Sequence, residues 1–442
     1  MSDGAPRVVT VHFTNLAALA AYTLLLILRA PRIWPGRFWA EEGSVFFSAA
    51  CSSGLLKSLL LPHLGYYMAV TSFATTLAAR SVPLEHAPLV TTIIAAVIQL
   101  LPAALLVTGK IDALPDPPSR VIALALLLVS LPTEEIWLTS TNSAHFMAVS
   151  AGIILISKPW ASRTRFFHIG LLVLAGLSGI SANLLAPFFW LRAYQERSRE
   201  RLEQAVALSV CAMIQVVVVV IAPMYGFASV GLEGPRSPRL DLQVLAHAML
   251  AKDILLPFTG RAWTEHVMAP LTKLLAAHQP MVFVSVIVMV WAGLLALAVV
   301  KGRQWQPRLL FGLSIYMVFV SFTASIEASR PQWHLSHTTA LGAGRYYYFP
   351  NFFLGLTLLM TAWTGSALHK RLRQTALVLV AWMLIVGSNE FFRSDARGAF
   401  FTGPDWRQQV AAWRREETRE LKIWPVPWKL TTCRSAGASA SD

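Results

Sequence analysis

The chain has 442 residues, 55% hydrophobic and only 14% charged, with a formal net charge of +14 and a mean hydropathy of +0.55. A soluble chain carries about 25% charged residues, so composition excludes a soluble enzyme. The positive charge then points to cytoplasmic loops and phosphate-bearing ligands or lipid headgroups, with no nucleic-acid partner.

Three cysteines, Cys51, Cys211 and Cys433, are too few for a disulfide framework. Free thiols are the expectation, and a Cys51–Cys433 bridge on the outer side is the alternative. The apolar runs read as helices, because backbone polar groups in a bilayer must bond internally and the runs lack the alternation of a barrel. The first span is predicted at 12–30. No small-residue cleavage site precedes Arg29-Ala30-Pro31-Arg32, so it reads as retained.

A long segment, 31–85, comes next. It holds Arg37-Phe38-Trp39-Ala40-Glu41-Glu42-Gly43 and then Pro62-His63-Leu64-Gly65-Tyr66-Tyr67. Later basic clusters lie at Lys110–Arg120, Lys158–Arg165, Arg192–Arg201, Lys301–Arg308 and Lys370–Arg373. Cytoplasmic loops carry such clusters, and all five share that side only if 31–85 crosses the membrane an even number of times. Val45–Leu60 and Tyr66–Ala79 are therefore predicted as helices lying on, or dipping into, the outer face.

Further spans are predicted at about 87–108, 121–134, 143–157, 166–178, 182–191, 203–223, 281–300, 309–326, 346–364 and 375–389. With the first this makes about eleven. The fold class is all-α: a polytopic inner (plasma) membrane protein with outer-face juxtamembrane helices, its N-terminus cytoplasmic and its C-terminus extracytoplasmic. Phe166–Leu191 is predicted as a hairpin turning at Ser178-Gly179-Ile180-Ser181, which keeps Arg165 and Arg192 on one side; one long helix, with the basic loop 158–165 outside, is the alternative. Buried turns in membranes line cavities.

This divides the chain into a transmembrane domain, 1–389, and an extracytoplasmic tail, 390–442. The domain has outer loops at 31–85, 224–280 and 327–345. Within the second loop, Leu240–Leu256 reads as amphipathic, with Asp241, Lys252 and Asp253 off an apolar stripe. In the tail a helix is predicted after Gly403-Pro404-Asp405. Ile423-Trp424-Pro425-Val426-Pro427-Trp428 reads as an interfacial anchor or a lid. The Ala/Ser/Gly end reads as disordered. No internal repeat is visible, against many transporter folds.

Adjacent carboxylates beside a bilayer are costly unless they face water or a polar cavity. Glu41 and Glu42 are thus either a solvated turn or a general base with its orienting partner. His63, Tyr66 and Tyr67 are an aromatic belt or a site wall. Asn142 and His145 are a helix cap and a cavity lining, or both part of a site. Arg345, in Gly342-Ala343-Gly344-Arg345-Tyr346, adds its charge to the positive end of a helix, an arrangement suited to phosphate; headgroup anchoring is the alternative for it and Tyr346. Glu134 and Glu135 read as solvated loop charge, with a second acidic motif as the alternative, and Asn183 as a turn amide first and a donor to substrate second. Arg261, Glu265 and His266 are secondary candidates.

His334 and His337 have no ligand spacing with a carboxylate at hand, so no metal is assigned, although a divalent ion stays open. No phosphate loop, nucleophile elbow or cysteine metal motif occurs.

A first span, an outer loop with adjacent acids, then juxtamembrane helices and short paired spans resemble the GT-C superfamily. It includes protein O-mannosyltransferases and lipid A aminoarabinose transferases. Glu41-Glu42 stands where that family carries its Asp-containing acidic motif. Pro62 to Tyr67 is similar to the family's His-Pro-Pro-x-Tyr-Tyr run. Gly344-Arg345-Tyr346 followed by Pro350 resembles Gly-Arg-Tyr-x-x-Pro with one extra residue. FWAEEG and the ending GPDW…IWP are similar to a sparsely characterised bacterial branch of this type.

The resemblance implies an inverting glycosyltransferase of the cell envelope. It would move a sugar from a polyprenyl-phosphate carrier to an acceptor glycan, lipid or protein, with Glu41 or Glu42 as base and Arg345 on the leaving phosphate. The alternatives are a lipid-glycan transporter or flippase, and an O-antigen polymerase or ligase, which Arg236 and Arg239 keep open.

Overall fold

The computed structural model describes residues 5–29, 36–63, 65–132, 135–158, 162–224, 241–279, 281–300, 304–325, 331–340, 342–364, 370–393, 403–415 and 420–430. Glu134, Arg236, Arg239, Cys433 and the Ala/Ser/Gly end lie outside them. The described residues are mostly helical.

Helix α1 (Ala5–Arg29) leads into a π-helical turn, Glu42–Phe47, followed by α2 (Ser48–Ser52) and α3 (Leu55–Leu59). A two-stranded hairpin, β1 (Pro62–His63) and β2 (Tyr66–Tyr67), precedes α4 (Ala69–Ser81), α5 (Ala87–Thr108), α6 (Pro117–Val129) and α7 (Ser143–Ile156). Then come α8 (Ser162–Leu177), α9 (Ala186–Glu196), α10 (Arg199–Met224) and α11 (Leu242–Met249). A second π-helical turn, Leu250–Leu255, joins α11 to α12 (Leu256–Ala276). The remainder is α13 (Val282–Val300), α14 (Trp305–Ser325), α15 (Arg345–Thr364), α16 (Lys370–Phe392), α17 (Trp406–Arg414) and the pair β3 (Leu421–Lys422) and β4 (Lys429–Leu430).

Helices thus occupy every place where a span is predicted. Four stretches, Leu84–Thr108, Arg199–Val220, Val282–Val300 and Lys370–Phe392, are long and apolar enough to cross a membrane. Others are shorter: α6, with 13 residues, is about 20 Å long, against a bilayer core of about 30 Å.

Two helices form the centre. From Phe146 to Ile156 every residue of α7 is buried, and α15 is buried from Tyr347 to Ala362. A helix apolar all round is buried by other helices or by lipid; these two are enclosed by protein. By contrast α13 exposes Val282, Phe283, Val286, Val290, Leu294 and Leu297, as a lipid-facing helix does. The two central helices meet where Gly152 faces Phe353, and a Cβ built there would lie 2.5 Å from Phe353 Cζ. Small residues allow such close approach between membrane helices. Gly152→Leu is expected to cost at least the ~1–3 kcal/mol of core overpacking, read as a lower Tm of the purified protein in detergent.

The chain reverses direction within Phe166–Leu191, where the hairpin is predicted, α8 leading into the turn and α9 out of it. Glu203 pairs with both Arg165 and Arg199, while Glu196 pairs with both Arg192 and Arg201. The start of α8, the end of α9 and the start of α10 therefore share one end. At the other end Asn183 Nδ2 donates to the Gly176 and Gly179 carbonyls, at 2.7 and 3.1 Å, and closes the turn. Arg192 and Arg201 also donate to the Leu155 and Ile154 carbonyls at the end of α7. Arginine suits those unpaired groups at the negative end of the helix.

Three expectations are corrected here. Tyr66 and Tyr67 form a strand, not the start of a helix, and the following α4 packs into the protein. Val70, Thr71, Ala74, Thr75 and Ala78 are buried, and Thr75 satisfies its hydroxyl on its own helix. The stripe at Leu240–Leu256 does not leave Lys252 and Asp253 outside: they are 0% and 2% exposed. The Lys252 ammonium is buried because it donates to the Ala340 and Gly342 carbonyls, at 2.9 and 2.6 Å. Finally, Cys51 is disulfide-bonded, while Cys211 is a buried free thiol.

Candidate active site

The Arg37–Gly43 stretch is held from two sides. Trp39 and Trp424 form a parallel bridge, with Ala40 N donating to Trp424 O at 2.5 Å and Trp424 N to Phe38 O at 3.1 Å. Gly43 lies where Phe38 and Ile423 close over it; a Cβ there would lie 2.9 Å from Phe38 Cβ and 2.8 Å from Ile423 Cδ1. The IWP run is therefore a clamp on the acidic stretch. Trp424 and Ile423 are buried against protein, while Val426 and Trp428 of the same run stay exposed. The helix predicted after Gly403-Pro404-Asp405 is α17, with Asp405 as its N-cap, accepting from Gln408 N at 2.9 Å.

The two glutamates part company. Glu42 is 1% exposed. Its Oε1 accepts from Ser140 N at 2.8 Å and Ser140 Oγ at 2.5 Å, and its Oε2 from Trp39 N at 3.1 Å. Burial pushes its carboxyl above the usual range, opposed by those donors and by Arg37. Burial brings the Arg37 guanidinium down to about 10, with Glu42 opposing. Arg37 also lies over the rings of Trp39 and Trp424, at 4.8 and 5.4 Å. Glu42 is thus spent on tying the acidic stretch to the loop before α7, and it does not line the cavity described next. Glu41 does.

The cavity is an open cleft of about 810 Å³ including its mouth. Of the sequence candidates, Glu41, His63, Tyr66, Asn142, His145, Arg345 and Tyr346 all line it. They arrive from the acidic stretch, the β1–β2 hairpin, the start of α7 and the start of α15. Tyr67 is the second candidate left out, because strand alternation turns it away from Tyr66. Its hydroxyl donates to Leu59 O at 2.6 Å, and its backbone exchanges two bonds with the Gln215 amide. Gln215 also donates to Gly176 O, joining the strand hairpin to the α8–α9 turn.

That turn reaches the cavity, as the sequence predicts: Gly179, Ile180 and Ser181 form part of its wall. Gly179 has φ +138°, and Ala144 lies 3.0 Å from where its Cβ would be, so only glycine fits here. Asn183 serves as the turn amide. Asn142 precedes α7 without capping it through its side chain; its Nδ2 donates to Glu135 O at 2.8 Å.

Glu135 is the correction with most bearing on chemistry. Its side chain is only 12% exposed, and it pairs with Arg345 at 3.4 Å. It belongs to the charge network of the cavity and is not solvated loop charge. Arg345 opens α15, so its guanidinium and the helix dipole reinforce each other. It lies 5.2 Å from the Tyr346 ring, which meets His145 edge-on and stacks on His337. His337 is held in turn by the Tyr347 hydroxyl at 2.9 Å.

Just before Arg345, Lys252 holds the Ala340 and Gly342 carbonyls, and Glu265 Oε1 accepts from Ala340 N at 2.8 Å. The secondary candidate Glu265 thus acts on the loop leading to Arg345. Arg261 and His266 do not line the cavity. Arg261 N donates to Glu390, and His266 packs edge-on against Trp263.

Sequence reasoning missed Trp39, Met68, Leu184 and Ser321 as cavity walls. Trp39 stood beside Glu41 and carried the only usable signal. Among the described residues no three His, Cys, Asp or Glu side chains gather as a metal-binding group. Compared with protein-family models, curated proteins and solved structures, the chain matches none.

Proposed function

We propose that this cavity transfers a sugar from a polyprenyl-phosphate donor to an acceptor hydroxyl with inversion at the anomeric carbon. The reading is carried by one observation: an acid, Glu41, and a cation at a helix start, Arg345, converge on one cleft from distant parts of the chain. Aromatic walls with a few convergent polar groups are what small-ligand sites use. The wall here is Trp39, Tyr66 and Tyr346, and the polar groups include Asn142 and His145.

In the proposed step the acceptor oxygen attacks the anomeric carbon on the face opposite the phosphate. A new C–O bond forms as the bond from that carbon to the phosphate oxygen breaks. The hydroxyl proton passes to the Glu41 carboxylate, and the polyprenyl phosphate leaves with the bonding pair. Arg345 stabilises the charge that gathers on the leaving oxygens. Glu135 orients Arg345. In the topology of about eleven spans the cleft opens on the extracytoplasmic side of the plasma membrane, where lipid-linked sugars are the available donors.

Arg345→Gln is expected to reduce turnover by ~10²–10³, the cost of removing one donor aimed at developing charge. Arg345→Lys should recover only part, because the forked geometry is lost. Both are read with purified protein and a polyprenyl-phosphate hexose. The function itself is tested by mass spectrometry of envelope glycans from cells expressing wild type or Glu41→Gln at equal levels. A sugar present only with wild type supports transfer and identifies the product. Identical glycans would remove Glu41 from the chemistry and leave transport of lipid-linked glycans as the better reading.

A further inference from the structure

A second concave feature lies at the corner where α9 gives way to α10, with an open volume of about 830 Å³. Trp190, Tyr194 and Leu202 are its apolar walls, and Arg197, Ser198 and Arg199 its polar end. It stands apart from the candidate active site. The α8–α9 turn touches the cleft, and α9, with 11 residues, puts the corner about 16 Å further along.

The charges at this corner are unevenly committed. Glu196 is taken by Arg192 and Arg201, Glu203 by Arg165 and Arg199, and Glu200 accepts from Gln204. Arg197 is exposed, at a left-handed φ of 48°, and makes no ion pair with any described residue. Arg199 is 84% exposed at its side chain. Arg197, and Arg199 with its exposed side chain shared with Glu203, thus stand at the N-terminal end of a 26-residue helix, whose dipole also favours an anion.

Continuing from the corner, α10 exposes Leu202, Val206, Val210, Met213, Val217 and Val220. Their spacing of three and four residues places them on one face, and α10 is among the helices long and apolar enough to cross a membrane. A cationic recess that runs directly into a lipid-facing stripe has the shape of an amphiphile. Trp190, half-exposed between the two, suits the boundary between headgroup and acyl chain.

We propose that this corner binds an anionic phospholipid, its phosphate on Arg197 and Arg199 and its acyl chains along the α10 stripe. The lipid would brace α8, α9 and α10, the hairpin and partner helix that carry the Gly179–Ser181 wall. The site is independent of the sugar-transfer reading.

Native mass spectrometry of the full-length protein in detergent, titrated with phosphatidylglycerol or phosphatidylcholine, tests it. Wild type is expected to retain phosphatidylglycerol at concentrations roughly tenfold lower than phosphatidylcholine. Arg197→Gln/Arg199→Gln should lose roughly that tenfold, as two interfacial cations imply. Equal retention of the two lipids by wild type, or undiminished phosphatidylglycerol on the double variant, would overturn the proposal. Excess inorganic phosphate should leave the lipid in place. Its displacement by phosphate alone would make this a simple anion site and also overturn the proposal. If the double variant does not fold, the wild-type preference decides, and it must weaken as salt is raised.

Discussion

Glu41→Gln is expected to abolish sugar transfer almost completely, by ~10²–10⁴ in turnover, while leaving the protein folded. The amide keeps the shape of the carboxylate and removes its ability to take a proton. Glu41 lines the cleft, whereas the hydrogen bonds that hold the acidic stretch run through Glu42 and the backbone. Yield and Tm in detergent should therefore match wild type. A Glu41→Gln protein that transfers at the wild-type rate would remove the proposed base.

Glu42→Ala is expected to do the opposite and fail as a fold before chemistry can be asked of it. The change leaves Ser140 N, Ser140 Oγ and Trp39 N without their acceptor and removes the carboxylate facing the buried Arg37. Breaking one member of a buried charged pair costs ~3–5 kcal/mol. Because the Trp39–Trp424 bridge starts beside these bonds, the C-terminal clamp should loosen together with the acidic stretch. Loss of yield, a large drop in Tm and rapid proteolysis within the tail would be the signs.

A pH dependence belongs to the same residue. The folded-state pKa of Glu42 is raised, mainly by burial, so the folded protein binds this proton more tightly than the unfolded chain. The corresponding stability is fully present below the ordinary carboxylate value and is lost as pH rises through the raised value. Glu42→Gln should flatten that part of the profile, measured as Tm against pH.

The adjacent acids look equivalent in the sequence, and they are not. One residue at the start of a π-helical turn, with Glu41 as its N-cap and Glu42 its first residue, decides which carboxylate meets Ser140 and which meets the cleft. No pattern of residue types carries that information, since the loop before α7 is brought in from nearly a hundred positions away. Tyr66 and Tyr67 divide in the same manner. A two-residue strand sends one ring to the cleft and the other hydroxyl to Leu59.

Glu135 shows the limit from the other side. It reads as loop charge because its partner, Arg345, is invisible from its own neighbourhood. Lys252 and Asp253 read as the polar face of an amphipathic helix. The carbonyls that make burial of Lys252 tolerable come from the loop ahead of α15. For Glu135 and Lys252 a polar group is buried because a remote segment supplies its partner.

What the sequence by itself determined is the helical, membrane-type composition, the place of the long helices other than α12, and the α8–α9 turn. It also determined that Asn142, His145, Arg345 and Tyr346 lie at the starts of helices. These follow from apolar run length, basic clusters and local turn chemistry, all of which act within a few residues. The tertiary structure alone decided that Glu41, not Glu42, faces the cleft, that Glu135 pairs with Arg345, and that the IWP run clamps the acidic stretch. Those outcomes depend on which distant donor or carbonyl satisfies each buried polar group, and only the packed bundle brings such partners together.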